Sequence, residues 1–183
     1  MTCIVGIEYP GGVIIGGDSA GLSGWSKTIR ADEKVFTNGP YVMGFTSSFR
    51  MGQLLRYRLT VPEPDIDDLD RFMVTTFVDA VRTTLKDGGY AKIENTREEG
   101  GTFLVGVGGR LFQVHSDFQV GRAAQGYSAC GCGNDIALGS LHTTDRYDIA
   151  PADRVRHALD AACALSGGVA GPYTVIDRPL AGR

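Results

Sequence analysis

The sequence predicts an α+β fold: two antiparallel sheets with helices packed outside them, in one domain spanning residues 1–183. Three observations predict it. Apolar runs follow the order strands, helices, strands, helices, strand. Tight turns join consecutive strands, so they run as hairpins, and the layered way to bury two such sheets places helices on their outer faces. Many of the 26 glycines fall in pairs that bracket short apolar runs, among them Gly11-Gly12, Gly16-Gly17, Gly88-Gly89 and Gly108-Gly109, as a sheet-rich chain with sharp turns requires. No repeat, low-complexity tract or linker interrupts the pattern, and 183 residues suffice for one sizeable core.

Residues 2–8 are rich in β-branched side chains and read as a strand. Tyr9-Pro10-Gly11-Gly12 is a turn, and Val13-Ile14-Ile15 begins a return strand ending near Asp18. Residues 19–33 read as polar and irregular. Lys34-Val35-Phe36, the turn at 37–40 and Tyr41 to Phe45 form a second hairpin. A helix follows from about Ser48 to Leu59. A second helix starts near Asp65 as N-cap and carries Leu69, Phe72, Met73, Phe77, Ala80 and Val81 at helical spacing. The stretch 87–101 is rich in glycine and charge and reads as a loop. Strands then run from Thr102 to Val107 and from Arg110 to Ser116, with a further pair between 118 and 130. A helix starts after Gly133, another spans Pro151 to Leu165, and Tyr173 to Ile176 is the last strand.

Composition narrows the function. The net charge is −3 with both signs interspersed, which lacks the basic footprint of a nucleic-acid binder. No apolar run reaches the roughly 20 residues of a membrane span. No basic region precedes the first apolar residues, so the start is not read as a secretory signal and the protein is expected in the cytoplasm. The four cysteines are then expected as reduced thiols.

The hairpins gather chemistry at one edge. A turn near residues 10–11 brings Thr2 close to Asp18 across the first pair, and the second turn brings Lys34 near Met43 and Gly44. A hydroxyl, a carboxylate, an amine and the backbone N–H groups of the Thr46-Ser47-Ser48 segment then meet at the open ends of the hairpins. These are the parts of an acyl-transfer site. A threonine hydroxyl needs a base. With Met1 removed, Thr2 carries one in its own α-amine, whose ordinary pKa of about 7.7–8.0 suits a general base near neutral pH. Lys34 as a cation favours the neutral amine and stabilises charge developing on the hydroxyl oxygen, Asp18 orients Lys34, and N–H groups near Ser47 and Ser48 form an oxyanion hole.

On these residues the sequence resembles the proteasome β subunits and HslV peptidases, the threonine branch of the N-terminal-nucleophile (Ntn) hydrolases. The resemblance rests on Thr2-Cys3-Ile4-Val5-Gly6, on Gly11-Gly12-Val13-Ile14-Ile15-Gly16-Gly17-Asp18-Ser19-Ala20, and on Lys34-Val35. Asp18 stands sixteen positions after Thr2 and Lys34 sixteen after Asp18, which are the family's intervals. Gly44-Phe45-Thr46-Ser47-Ser48, Val114-His115-Ser116-Asp117, Gly131-Cys132-Gly133 and Ser166-Gly167-Gly168 match later family segments, so the resemblance covers most of the chain. It implies a four-layer αββα sandwich and threonine-peptidase chemistry on Thr2, Asp18 and Lys34, with the Ser48 N–H as oxyanion donor. It also implies a homo-oligomeric ring, an unfolded protein or peptide as substrate, and an ATPase or gating partner, with no cofactor or metal in the chemistry.

The chain departs from the family at the supporting positions. Cys132 stands where the family has a serine that helps position the N-terminal amine, Cys163 stands where an aspartate is common three residues before Ser166, and Leu22 replaces a threonine of the substrate-binding segment. Two alternatives follow: a catalytically silent ring component, or an Ntn amidase acting on small amides. Blander readings stand beside the site. Asp18 and Lys34 alone also fit a structural ion pair at strand ends. Cys3, Cys130, Cys132 and Cys163 fit buried thiols better than a zinc set, whose pairs are more tightly spaced, although Cys132 and Cys163 near Thr2 would be redox-sensitive. His115 reads as packing or surface, Asp65, Asp67 and Asp68 as charge at a helix N-terminus, 97–99 as a solvated face, and Trp25 as a contact to substrate or a neighbouring subunit.

Overall fold

The computed structural model describes residues 1–94 and 97–180. β1 (Cys3–Tyr9) and β2 (Gly12–Gly17) form the first hairpin around the two-residue turn Pro10-Gly11. Ile4 pairs with Gly17 and Gly6 with Ile15, one residue on from the register expected above. The reason is the shortness of the turn, which pairs Tyr9 directly with Gly12. Asp18 therefore faces Cys3 rather than Thr2 across the hairpin, and its N–H donates to the Cys3 carbonyl at 3.2 Å.

Residues 19–33 are more ordered than their composition suggests. β3 (Ala20–Ser23) and β4 (Ser26–Ile29) pair as a separate hairpin turning at Gly24-Trp25. β4 is exposed throughout, so no apolar alternation marks it. β5 (Val35–Asn38) and β6 (Tyr41–Phe45) make the next hairpin, with Val35 opposite Gly44, which sets Lys34 beside Phe45, one residue beyond the expected partner. The Phe45 N–H donates to the Lys34 carbonyl at 3.0 Å.

α1 (Phe49–Tyr57) begins at Ser48, whose hydroxyl accepts from the Arg50 N–H as an N-cap. α2 (Leu69–Phe72) runs through a π-helical stretch, Met73–Phe77, into α3 (Val78–Asp87). This helix begins at Leu69, not Asp65. The Asp65 carboxylate instead accepts from the N–H groups of Asp67 and Asp68, a local turn ahead of the helix. The expected loop 87–101 contains a small hairpin, β7 (Lys92–Glu94) with β8 (Arg97–Glu99), and its tip at 95–96 lies outside the described residues.

β9 (Phe103–Val107), β10 (Arg110–Val114) and β11 (Val120–Gly121) follow, then β12 (Tyr127–Gly131), α4 (Asn134–Thr144), α5 (Pro151–Leu165) and β13 (Thr174–Pro179). The pair expected between 118 and 130 divides between two sheets: β11 joins β10, and β12 joins β1. One antiparallel sheet has the order β12-β1-β2-β13 and the other β11-β10-β9-β6-β5.

Strand alternation sorts the core into three apolar clusters. Ile4, Val13, Ile15, Val35, Val42, Leu104 and Leu111 join residues of both sheets. Val5, Ile7 and Ile14 of the first sheet pack with Val155, Ala158, Leu159 and Ala162, the predicted inner face of α5. Phe36, Met43, Val105 and Phe112 of the second sheet pack with Leu55, Phe72, Phe77 and Val81 of the intervening helices. The protein is thus a mixed α/β structure of antiparallel sheets and helices, and the edge where β1, β2 and β5 meet holds Thr2, Asp18 and Lys34.

Candidate active site

Asp18 and Lys34 are each only 1% exposed. An ionised pair so far from water survives only if its remaining hydrogen-bonding capacity is met, and here it is. Asp18 Oδ1 accepts from Lys34 Nζ at 2.8 Å and from the Cys3 N–H at 3.0 Å. Its Oδ2 accepts from the Ala20 N–H at 2.9 Å and the Ala170 N–H at 3.3 Å. Lys34 Nζ also donates to the Ala20 carbonyl at 2.6 Å. Burial draws the Lys34 pKa below its ordinary value, and the Asp18 carboxylate opposes that drop. The neighbouring Cys3 thiol is pushed up to about 12, first by burial and then by Asp18.

Thr2 is buried directly against this pair's neighbour, Cys3. Its N–H donates to Cys132 Sγ at 3.3 Å, and its hydroxyl donates to the Met1 carbonyl at 2.5 Å. Gly131 lies beside it at φ 102°, where a Cβ would stand 2.2 Å from the Thr2 carbonyl oxygen, so this position has room for glycine alone. Cys132 Sγ lies 3.7 Å from Ser166 Oγ, and that hydroxyl accepts from the Gly168 N–H at 3.4 Å. The Met1 side chain packs on Gly168, where a Cβ would come within 2.8 Å of it. Met1 borders two open cavities. One, of about 440 Å³, is walled by Thr46, Ser47 and Cys132 among others. The other, of about 680 Å³, is walled by Leu22, Trp25 and Ser166 to Gly168.

The structure thus brings Thr2, Cys132 and Ser166 together, with Asp18 and Lys34 beneath them. Cys163 is placed differently: it sits on α5 beside Tyr173, whose phenol pKa is raised by burial and by Cys163 and Asp160. The Ser48 N–H donates to the Thr46 carbonyl at 2.7 Å, closing a three-residue turn whose centre, Ser47, has φ 65°. Sequence reasoning missed the backbone partners of Asp18. Ala170 follows the Ser166-Gly167-Gly168 segment by two residues, and only the folded chain shows that its N–H closes the carboxylate's shell. Trp25 is fully exposed at the tip of the β3–β4 hairpin.

No family model and no curated protein matches the chain. Solved structures do. Thiobacillus denitrificans BPH, in a structure with epoxomicin, superposes with a TM-score of 0.81 at 20% identity, covering 99% of this chain and 100% of that one. HslV from Trypanosoma brucei gives 0.70 at 16% identity, covering 96% and 98%. An Anbu (Gly-1) mutant from Hyphomicrobium sp. strain MC1 gives 0.67 at 13% identity, covering 97% and 81%. The likeness carried by the Thr2, Asp18 and Lys34 segments of the sequence therefore extends to the whole backbone, and the chain has the fold of the proteasome-like Ntn hydrolases.

Proposed function

We propose that the protein is a threonine peptidase of proteasome β type, a single four-layer αββα domain whose nucleophile is Thr2 after loss of Met1. The observation that carries this reading is the buried Asp18–Lys34 pair, joined to Thr2's neighbour by the Cys3 N–H bond. Removal of Met1 turns the Thr2 N–H, now an amide, into a free amine beside Cys132 Sγ. That amine takes the hydroxyl proton as Oγ attacks the scissile carbonyl, and returns it to the departing amine. Lys34 favours the neutral form of the Thr2 amine and the developing negative charge, and Asp18 fixes its position. The Ser48 N–H binds the oxyanion once substrate displaces the Thr46 carbonyl from it. An ester on Thr2 forms and water hydrolyses it. Unfolded protein or peptide is the substrate. A homo-oligomeric ring in the cytoplasm, fed by an ATPase or gating partner, is the corresponding assembly.

The binding of epoxomicin by a protein of the same fold supports this chemistry. The intact mass of the purified protein, with and without a peptide epoxyketone, tests it. Loss of Met1 and a single adduct on Thr2 is the expected result, and retained Met1 with no adduct refutes it. A second reading, a catalytically silent ring component, is favoured by the Ser48 N–H already engaged with Thr46 and by the weak thiol acceptor at Cys132. Met1 loss without an adduct, together with turnover of small amides, would point instead to an Ntn amidase.

A further inference from the structure

The face between the two sheets changes character along its length. On β10, Leu111 belongs to the apolar cluster that joins the sheets. Strand alternation gives Gln113 the same face, and His115, one residue past the end of β10, lines the same cavity as Gln113. Leu104 of β9 and Val42 of β6 belong to that cluster, and just past these strands Thr102 and Thr46 pair through the Thr46 N–H and the Thr102 carbonyl at 3.1 Å and line the cavity. The dry layer ends where Ser128 of β12 donates to Gln113 Oε1 at 2.8 Å, a bond between the sheets. Beyond it opens the cavity of about 440 Å³ bordered by Met1.

Among the described residues, the walls of this cavity are rich in hydrogen-bond donors not engaged elsewhere. Gln113 spends its oxygen on Ser128, which leaves its two amide hydrogens. Ser47 Oγ accepts from the Thr102 N–H at 3.1 Å, which leaves its own proton to donate. Thr46, His115 and Asn134 add two more hydrogen-bonding side chains and an imidazole, and among the described residues no carboxylate lines the space. Thr2 is adjacent, because Gly131 in the cavity wall touches the Thr2 carbonyl.

The geometry points to a specificity subsite here: the cavity takes the side chain of a residue flanking the scissile bond, one that ends in a carbonyl or carboxylate oxygen, with His115 and Gln113 as its donors. This deepens the peptidase reading and rests on it. An aliphatic side chain would strand those donors without partners, which is the stronger form of discrimination.

The test uses matched peptides carrying Leu, Gln or Glu immediately before or after the cleaved bond. The expected result is about tenfold higher kcat/KM for Gln or Glu than for Leu at one of the two positions, the worth of one hydrogen bond to a polar or charged group. Glu over Gln assigns the carboxylate, Gln over Glu the carboxamide, and either supports the subsite. His115→Ala is expected to erase most of the preference, and His115→Gln, which keeps a donor, to restore part of it. Leu favoured at both positions, or a preference unchanged in His115→Ala and Gln113→Ala, overturns the subsite and leaves the peptidase standing. No adduct and no cleavage of any peptide overturns both.

Discussion

Replacement of Asp18 by asparagine tests the centre of the site most directly. Each carboxylate oxygen accepts two donors: Lys34 Nζ and the Cys3 N–H on one, the Ala20 and Ala170 N–H groups on the other. An asparagine keeps one such oxygen and turns the other into an NH₂ group facing two donors. In either orientation Lys34 loses its counter-charge while 1% exposed. Removing one partner of a buried pair costs about 3–5 kcal/mol, a large share of the roughly 5–15 kcal/mol that holds a domain together. With a urea m-value near 2 kcal/mol/M, the midpoint falls by about 2 M. Far-UV circular dichroism is the right readout, since the single Trp25 is fully exposed and reports little on folding. Asp18→Asn combined with Lys34→Met removes the stranded charge and is expected to recover much of the stability, yet to form no epoxyketone adduct. A loss below about 1 kcal/mol at unchanged m in the single variant would refute the view that this pair is desolvated and mutually dependent. An adduct in the double variant would refute its part in catalysis.

Three further outcomes follow from the same geometry. Gly131→Ala places a Cβ 2.2 Å from the Thr2 carbonyl oxygen at φ 102°, so it should cost about 1–3 kcal/mol in urea unfolding and slow adduct formation at Thr2. Cys132→Ser exchanges a weak acceptor for a hydroxyl at the Thr2 nitrogen, and a several-fold faster epoxyketone reaction is expected from a net gain of about 0.5–1.5 kcal/mol. Alkaline pH should destabilise the protein through Cys3: its thiol, raised from 9.0 to about 12, keeps a proton that the unfolded chain releases, so stability falls as pH rises through that window. Lys34 acts in the opposite sense just below its ordinary 10.5, because its lowered pKa makes the unfolded chain the better proton binder there. Urea midpoints from pH 8 upward should therefore decline more gently in Cys3→Ala than in the parent.

The architecture was legible wherever burial imposes a period. The face of α5 at Val155, Ala158, Leu159 and Ala162 and the strands of the two large hairpins could be read directly, because a half-buried element must repeat its apolar residues. The β3–β4 hairpin was not, since exposed strands carry no such signal. Register was read one residue short in both hairpins, and that slip matters at the site: it moves Asp18 from Thr2 to Cys3. The intervals between Thr2, Asp18 and Lys34 nevertheless carried the resemblance to the family, because residue spacing survives a register error that pairing does not. The long-range parts of the site, the Ala170 N–H on Asp18 and the contact of Cys163 with Tyr173, depend on how α5 and the segment after it return to the sheet. No local pattern encodes that return.

The burial of the Asp18–Lys34 pair also weighs the bland reading against the catalytic one. As a device for joining strand ends, an ion pair with both partners out of water is poor, because apolar residues of similar volume hold such positions as well or better. The chain instead surrounds the pair with three backbone N–H groups and a carbonyl, and draws the lysine pKa down while keeping the carboxylate in contact with it. Such an arrangement suits a site where the protonation of a neighbouring group must be set, which is the reading proposed above. Beside the pair, next to the buried Cys3 thiol, stands the Thr2 nitrogen, held as an amide by Met1 and already directed at a polar side chain, Cys132. The same Met1 carbonyl occupies the Thr2 hydroxyl. On the proposed reading, a single cleavage, of the Met1–Thr2 bond, would free the nucleophile and create its base in one event, at a residue that borders both cavities.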